Sequence, residues 1–183
     1  MFKTADTDLG TWLAKAEEFA KKFLRVEVNL RGMFVIPEGL PCLSVIPVFK
    51  PGGLTNRDAV VKVLKSQGLV VYEEVDVEKY SGLVAKGQPT LHLIANSERP
   101  DPDTMGLSPN QLVATGKNWL DLRGYTLAFG LNYFVRQAYL DPATFTWFPE
   151  NRLPDGKVAN GLWNPGNRRV KFSWWFADNE GDS

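Results

Sequence analysis

The sequence of 183 residues predicts an α+β protein: a small βαβ-containing N-terminal layer packed on a buried helix and a C-terminal aromatic antiparallel sheet. Three observations carry the prediction. Helical and strand-like apolar periodicities alternate over the first half of the chain. A stretch apolar on most sides follows at 119–139. Finally, 14 of the 22 Phe, Tyr and Trp residues lie between Trp119 and Phe176, most densely at the end. The length suits one compact domain over 1–183. A soft lobe boundary is allowed near 82–88, where Ser81, Gly82, Gly87 and Pro89 interrupt the pattern.

The first element is a helix. Leu9, Trp12, Leu13, Ala16, Phe19, Ala20, Phe23 and Leu24 repeat at the three- and four-residue spacing of one helical face, opposite Lys15, Glu17, Glu18, Lys21 and Lys22. Asp6 or Thr7 can cap its start. Alternation at 26–30 and β-rich runs at 33–36 and 43–49 predict strands. Pro47 lacks an N–H for a sheet ladder and marks an edge, a bulge or a strand end.

A second helix is predicted over 56–67, with Thr55 as N-cap, Ala59, Val60, Val63 and Leu64 as its buried face, and Gly68 as its stop. Strands at 69–72 and 90–94 complete the first half, and the strand–helix–strand order suggests the βαβ unit. The Pro-, Asp- and Ser-rich segment 96–107 reads as a loop. Ser108 followed by Pro109 is a helix start.

The apolar stretch 119–139 reads as a central helix, with Gly124 and Gly130 admitting close neighbours. Its many Tyr, Phe and Thr residues leave a pair of strands as the competing reading. Beyond it, 144–148 is a strand candidate and Leu153-Pro154-Asp155-Gly156-Lys157 a tight turn. Segments 158–163 and 168–176 form a predicted hairpin around Asn164-Pro165-Gly166-Asn167.

Composition limits the chemistry. Twenty-one basic and 21 acidic residues give no net charge, and so no global attraction to duplex DNA. Cys42 is the single cysteine and His92 the single histidine, so neither an internal disulfide nor a thiolate or multi-histidine metal site can be assembled. No cofactor or metal is expected. The N-terminus has no secretory pattern and no run approaches the ~18 apolar residues that span a bilayer; a cytoplasmic protein without membrane contact is expected. Asp178 and the residues after it read as a frayed acidic tail.

The site candidates begin with the last strand. Alternation sends Val170, Phe172, Trp174 and Phe176 to a core face and Arg169, Lys171, Ser173 and Trp175 to the other. A one-residue slip would exchange Trp174 and Trp175. With Trp163, Arg168 and Arg152 in nearby turns, a platform of rings and cations is expected, its anchors being Trp163, Arg168, Lys171 and Trp175.

Weaker candidates are the loop 50–55, where Lys50 and Arg57 could flank an anion at a helix start, and two acidic groups: Glu73, Glu74, Asp76 and Glu78, and Glu98, Asp101 and Asp103. Asp141 stands alone before Pro142. His92 between Leu91 and Leu93, and Cys42 beside Pro41, read as structural residues rather than a catalytic dyad. This inventory favours a non-enzymatic binding protein over an enzyme. A protein partner or self-association comes first, because aromatic and Arg residues dominate interface anchors. Single-stranded nucleic acid or a glycan on the same face is the alternative, and a hydrolase using paired carboxylates is a third reading.

Overall fold

A computed structural model describes residues 9–35, 45–80, 88–95 and 103–179, and its strands divide between two sheets. Helix α1, Leu9–Phe19, buries Trp12, Leu13, Ala16 and Phe19 and widens into a π turn over Ala20–Leu24. It stops at Arg25, whose φ of 60° is left-handed. The expected caps Asp6 and Thr7 lie outside the described residues.

The predicted strand at 26–30 is not formed. Asn29 instead caps a single helical turn, α2 (Leu30–Met33), by accepting a hydrogen bond from the Gly32 N–H at 2.9 Å. Glu17 on α1 accepts from the Leu30 N–H at 2.8 Å. Local side-chain acceptors have outcompeted a ladder, as Asn and Glu readily do.

Strand β1 (Val45–Lys50) pairs antiparallel with β3 (Thr90–Ala95), Val48 opposite His92. Pro47 fits because β1 has a single strand neighbour among the described residues. Between them lies α3, Asn56–Ala59, continued by a π turn at Val60–Leu64 and a 3-10 turn at Lys65–Gln67. Thr55 accepts from the Asp58 N–H at 3.0 Å, Ala59, Val60, Val63 and Leu64 are fully buried, and Gly68 ends the helix with φ 78°.

The order strand–helix–strand is present, but β2 (Val71–Glu73) joins a different sheet from β1. That four-stranded sheet runs β2-β6-β5-β4, where β4 is Thr146–Arg152, β5 Val158–Asn164 and β6 Arg169–Trp175. Strand β2 is parallel to β6, and the other pairs are antiparallel. The predicted hairpin around 164–167 is therefore formed, with Trp163 opposite Val170 and Ala159 opposite Trp174.

Two further helices hold the layers together. Helix α4 (Pro109–Ala114) starts at Ser108 with a complete capping box to Gln111. Helix α5 (Leu122–Arg136) is capped by Asp121 and buried from Leu122 to Asn132. Gly130 is what admits its neighbours: a Cβ there would lie 2.1 Å from Val63 Cγ1 and 3.3 Å from Phe19 Cζ. Tyr125 of α5 packs on Phe148 and Phe172 of the sheet at ring separations of 5.0 and 6.3 Å. A smaller cluster of Leu112, Trp147 and Val158, flanked by Trp119 and Phe145, covers part of the sheet's other face. Among the described residues no helix is long and apolar enough to cross a membrane.

Candidate functional site

The predicted alternation holds along the first half of β6. Val170 and Phe172 are fully buried, whereas Arg169 and Lys171 are partly exposed on the opposite face. Toward the end of the strand the core stops and burial no longer follows parity. Trp174 is half-buried and packs against the main core, while Trp175 is 49% and Phe176 60% exposed. Phe176, expected on the core face, lies beyond the last paired residue and stays exposed. Trp175 is the exposed member of the six tryptophans, all of which are described.

The exposed Phe176 ring does not stand alone. Trp174 and Phe176 meet edge to face at 6.2 Å, and Lys157 Nζ lies 3.9 Å from the Trp174 ring centre and 5.5 Å from that of Phe176. Asp155 holds the same Lys157 at 2.8 Å. This second cation comes from the Asp155-Gly156 turn, so sequence distance hid it. On the opposite face, the Arg169 guanidinium sits 4.1 Å over the Tyr72 ring, a cation–π contact between β6 and β2. Lys171 is 3.6 Å from Glu74.

One sequence-derived anchor, Trp163, and one neighbouring cation, Arg152, need relocating. Trp163 belongs to β5 rather than a turn and is 6% exposed, because its indole stacks on Tyr139 at 3.7 Å with an interplanar angle of 5°. It presents no free ring. Arg152 is tied down, its Nη2 donating to Asn110 Oδ1 at 2.8 Å and its Nε to the Pro149 carbonyl at 3.2 Å. Arg168, by contrast, is exposed at the tip of the β5–β6 turn with φ 50°, a left-handed conformation unfavourable for arginine.

The loop 50–55 is not left as an anion cradle. Lys50 Nζ lies 3.0 Å from Asp121 Oδ2, and Arg123 reaches the same oxygen at 2.7 Å. The other Asp121 oxygen accepts from the Gly124 N–H at 2.7 Å. Burial pushes the Asp121 carboxyl up, but Lys50, the Gly124 N–H and Arg123 together outweigh it and leave it below the ordinary range. Arg57 is also engaged: it forms a two-pronged pair with Glu73 at 2.7 Å and reaches Asp76 at 2.9 Å. The first acidic group therefore serves as ion-pair partners and turn caps. Glu98 and Asp101 of the second lie outside the described residues, as does Cys42.

His92 is half-buried with Thr90 Oγ1 3.2 Å from its Nε2; burial first, then the Lys50 charge, push its imidazole below its ordinary value. Asp141 was undervalued by its sequence context. It sits at a left-handed corner (φ 49°), where Thr146 and Thr144 donate to its carboxylate at 2.7 and 3.4 Å. Burial raises its carboxyl above the ordinary range. The fully buried Tyr125 hydroxyl also acts on that carboxyl and, with the two threonines, opposes the upward push of burial. The groups acting on Asp141 are thus hydroxyls, not a second carboxylate of the kind a two-acid hydrolysis requires. No set of three or more His, Cys, Asp and Glu side chains converges on a cation position among the described residues. Compared with protein-family models, curated proteins and solved structures, the chain matches none.

Proposed function

We propose that this chain is a non-enzymatic interaction protein that grips a protein partner along β6, with Trp175 and Phe176 at the end of the strand and Lys171, Arg169 and Arg168 toward its start. The observation carrying the reading is the pair of adjoining rings exposed by 49% and 60% where every other tryptophan is buried or half-buried. Large rings and arginines supply most anchor energy at protein interfaces, since each buries much surface for few rotatable bonds. Lys157 and Trp174 hold the Phe176 ring, so little ordering entropy of that ring is lost on contact. Arg168, held in a left-handed turn without an ion pair among the described residues, is a cation kept available at some conformational cost.

The experiment is photo-crosslinking in cell extract with the wild-type chain and a W175S/F176S variant shown to be folded by near-ultraviolet circular dichroism. Capture of a partner band should fall at least about tenfold in the variant. Equal capture refutes the proposal. Titration with oligothymidylate separates the nucleic-acid alternative, because affinity for a single strand falls steeply with added salt.

A further inference from the structure

The two edges of the four-stranded sheet are finished differently. Strand β4 carries Pro149, which lacks an N–H, and its pairing with β5 is broken by a bulge between Phe148 and Arg152. Both devices protect an edge from pairing with another chain. Strand β2, at the opposite edge, contains neither.

Its free backbone groups can be identified. The Val170 N–H donates to the Val70 carbonyl at 2.9 Å, and the Glu74 N–H to the Phe172 carbonyl at 3.0 Å. Alternate residues of a parallel strand address the same neighbour, so Val70, Tyr72 and Glu74 face β6, while Val71 and Glu73 direct their N–H and C=O away from the sheet. No strand pairs with them among the described residues. Val70 and Tyr72 beside this edge are 60% and 40% exposed. Charge along the edge is balanced within the chain: Arg169 stands over Tyr72, Arg57 holds Glu73 and Lys171 faces Glu74.

We infer that β2 is the homodimerisation edge of this protein, pairing antiparallel with β2 of a second copy about a two-fold axis through Tyr72. Residues 71 and 73 both face outward, so Val71 of each copy exchanges backbone hydrogen bonds with Glu73 of the other, in register and without breaking the β6 ladder. The backbone hydrogen-bond pattern is thereby self-complementary, as a two-fold interface demands, and the ion-paired carboxylates add no repulsion across it. Tyr72 meets its symmetry mate as a cross-strand aromatic pair, each ring still covered by its own Arg169. This edge is separate from the Trp175 patch, and the inference does not depend on the reading above.

Sedimentation velocity over a dilution series, with amide hydrogen exchange at high and low concentration, tests it. A concentration-dependent dimer is expected, with the Val71 and Glu73 amides protected only when concentrated and the Glu74 amide protected at both. Tyr72→Asp, which sets like charges against each other on the axis, should raise the dimer Kd at least about tenfold. Val71→Pro removes one outward donor and should do the same; if it fails to fold, Y72D and the exchange pattern still decide. W175S/F176S should leave the dimer unchanged, which separates this inference from the partner proposal. A monomer at about 0.5 mM, a dimer indifferent to Y72D, or Val71 and Glu73 amides indifferent to dilution would overturn it.

Discussion

Replacing Asp121 by alanine removes the anion that joins three parts of the chain. Its side chain is 12% exposed and faces Lys50 at 13% and Arg123 at 5%. Lys50 ends β1, Arg123 lies in the first turn of α5, and Asp121 caps that helix. The variant would leave two poorly hydrated cations without their shared carboxylate and the Gly124 N–H without its acceptor. Breaking a buried pair by deleting one partner costs about 3–5 kcal/mol, the lost cap being part of the same event. Native stability is only about 5–15 kcal/mol, so a large fraction should disappear. For a domain of this size that corresponds to a melting temperature roughly 6–20 °C lower.

Urea unfolding followed by far-ultraviolet circular dichroism measures the change directly. Asp121→Asn retains an acceptor for the Gly124 N–H and should lose less than Asp121→Ala. The pH dependence gives an independent check. The folded carboxyl titrates below its unfolded value, so its contribution is complete above about pH 4 and is lost as pH falls through the folded pKa. The gap between wild type and D121N should therefore close in acid. A loss below about 1 kcal/mol in D121A, or a gap that persists unchanged into acid, would show that the cluster is solvated and refute the reasoning.

Gly130→Ala should destabilise by about 1–3 kcal/mol, because its Cβ would fall 2.1 Å from Val63 Cγ1; combining it with Val63→Ala should recover part of the loss in a double-mutant cycle. Arg168→Gly should stabilise the chain by about 0.5–1 kcal/mol in urea, by relieving a left-handed arginine, while weakening partner capture. Asp141→Asn should match or exceed wild-type stability at pH 7, since the native site raises this carboxyl's pKa and disfavours its charge. Its advantage should vanish as pH falls through that elevated pKa, and a urea midpoint lower than wild type at pH 7 would contradict the assignment.

The helix signals were legible because they are local. Thr55 with Gly68, Ser108 with Pro109, and the buried faces between them depend on neighbours a few residues away, and the structure places each as its chemistry requires. The β5–β6 hairpin was readable for the same reason. The division of strands between sheets was not, because nothing within β1 or β2 encodes which distant strand each will meet. Segment 26–30 misled through a period-two pattern too short to outweigh Asn29 as a cap. At the candidate site, Trp175 followed from alternation, whereas Trp163 required knowledge that Tyr139 would cover it. Lys157 and Tyr72 were not singled out and Phe176 was assigned to the core, because their surroundings arise from a turn, a parallel neighbour and the end of the core.

Helix α5 packs against β1 on one side and the aromatic face of the larger sheet on the other. Neither layer can detach without wetting rings that the other layer also uses. Loss of tertiary order should therefore be all-or-none, with the backbone amides of the central turns of α5 the slowest in the molecule to exchange with deuterium.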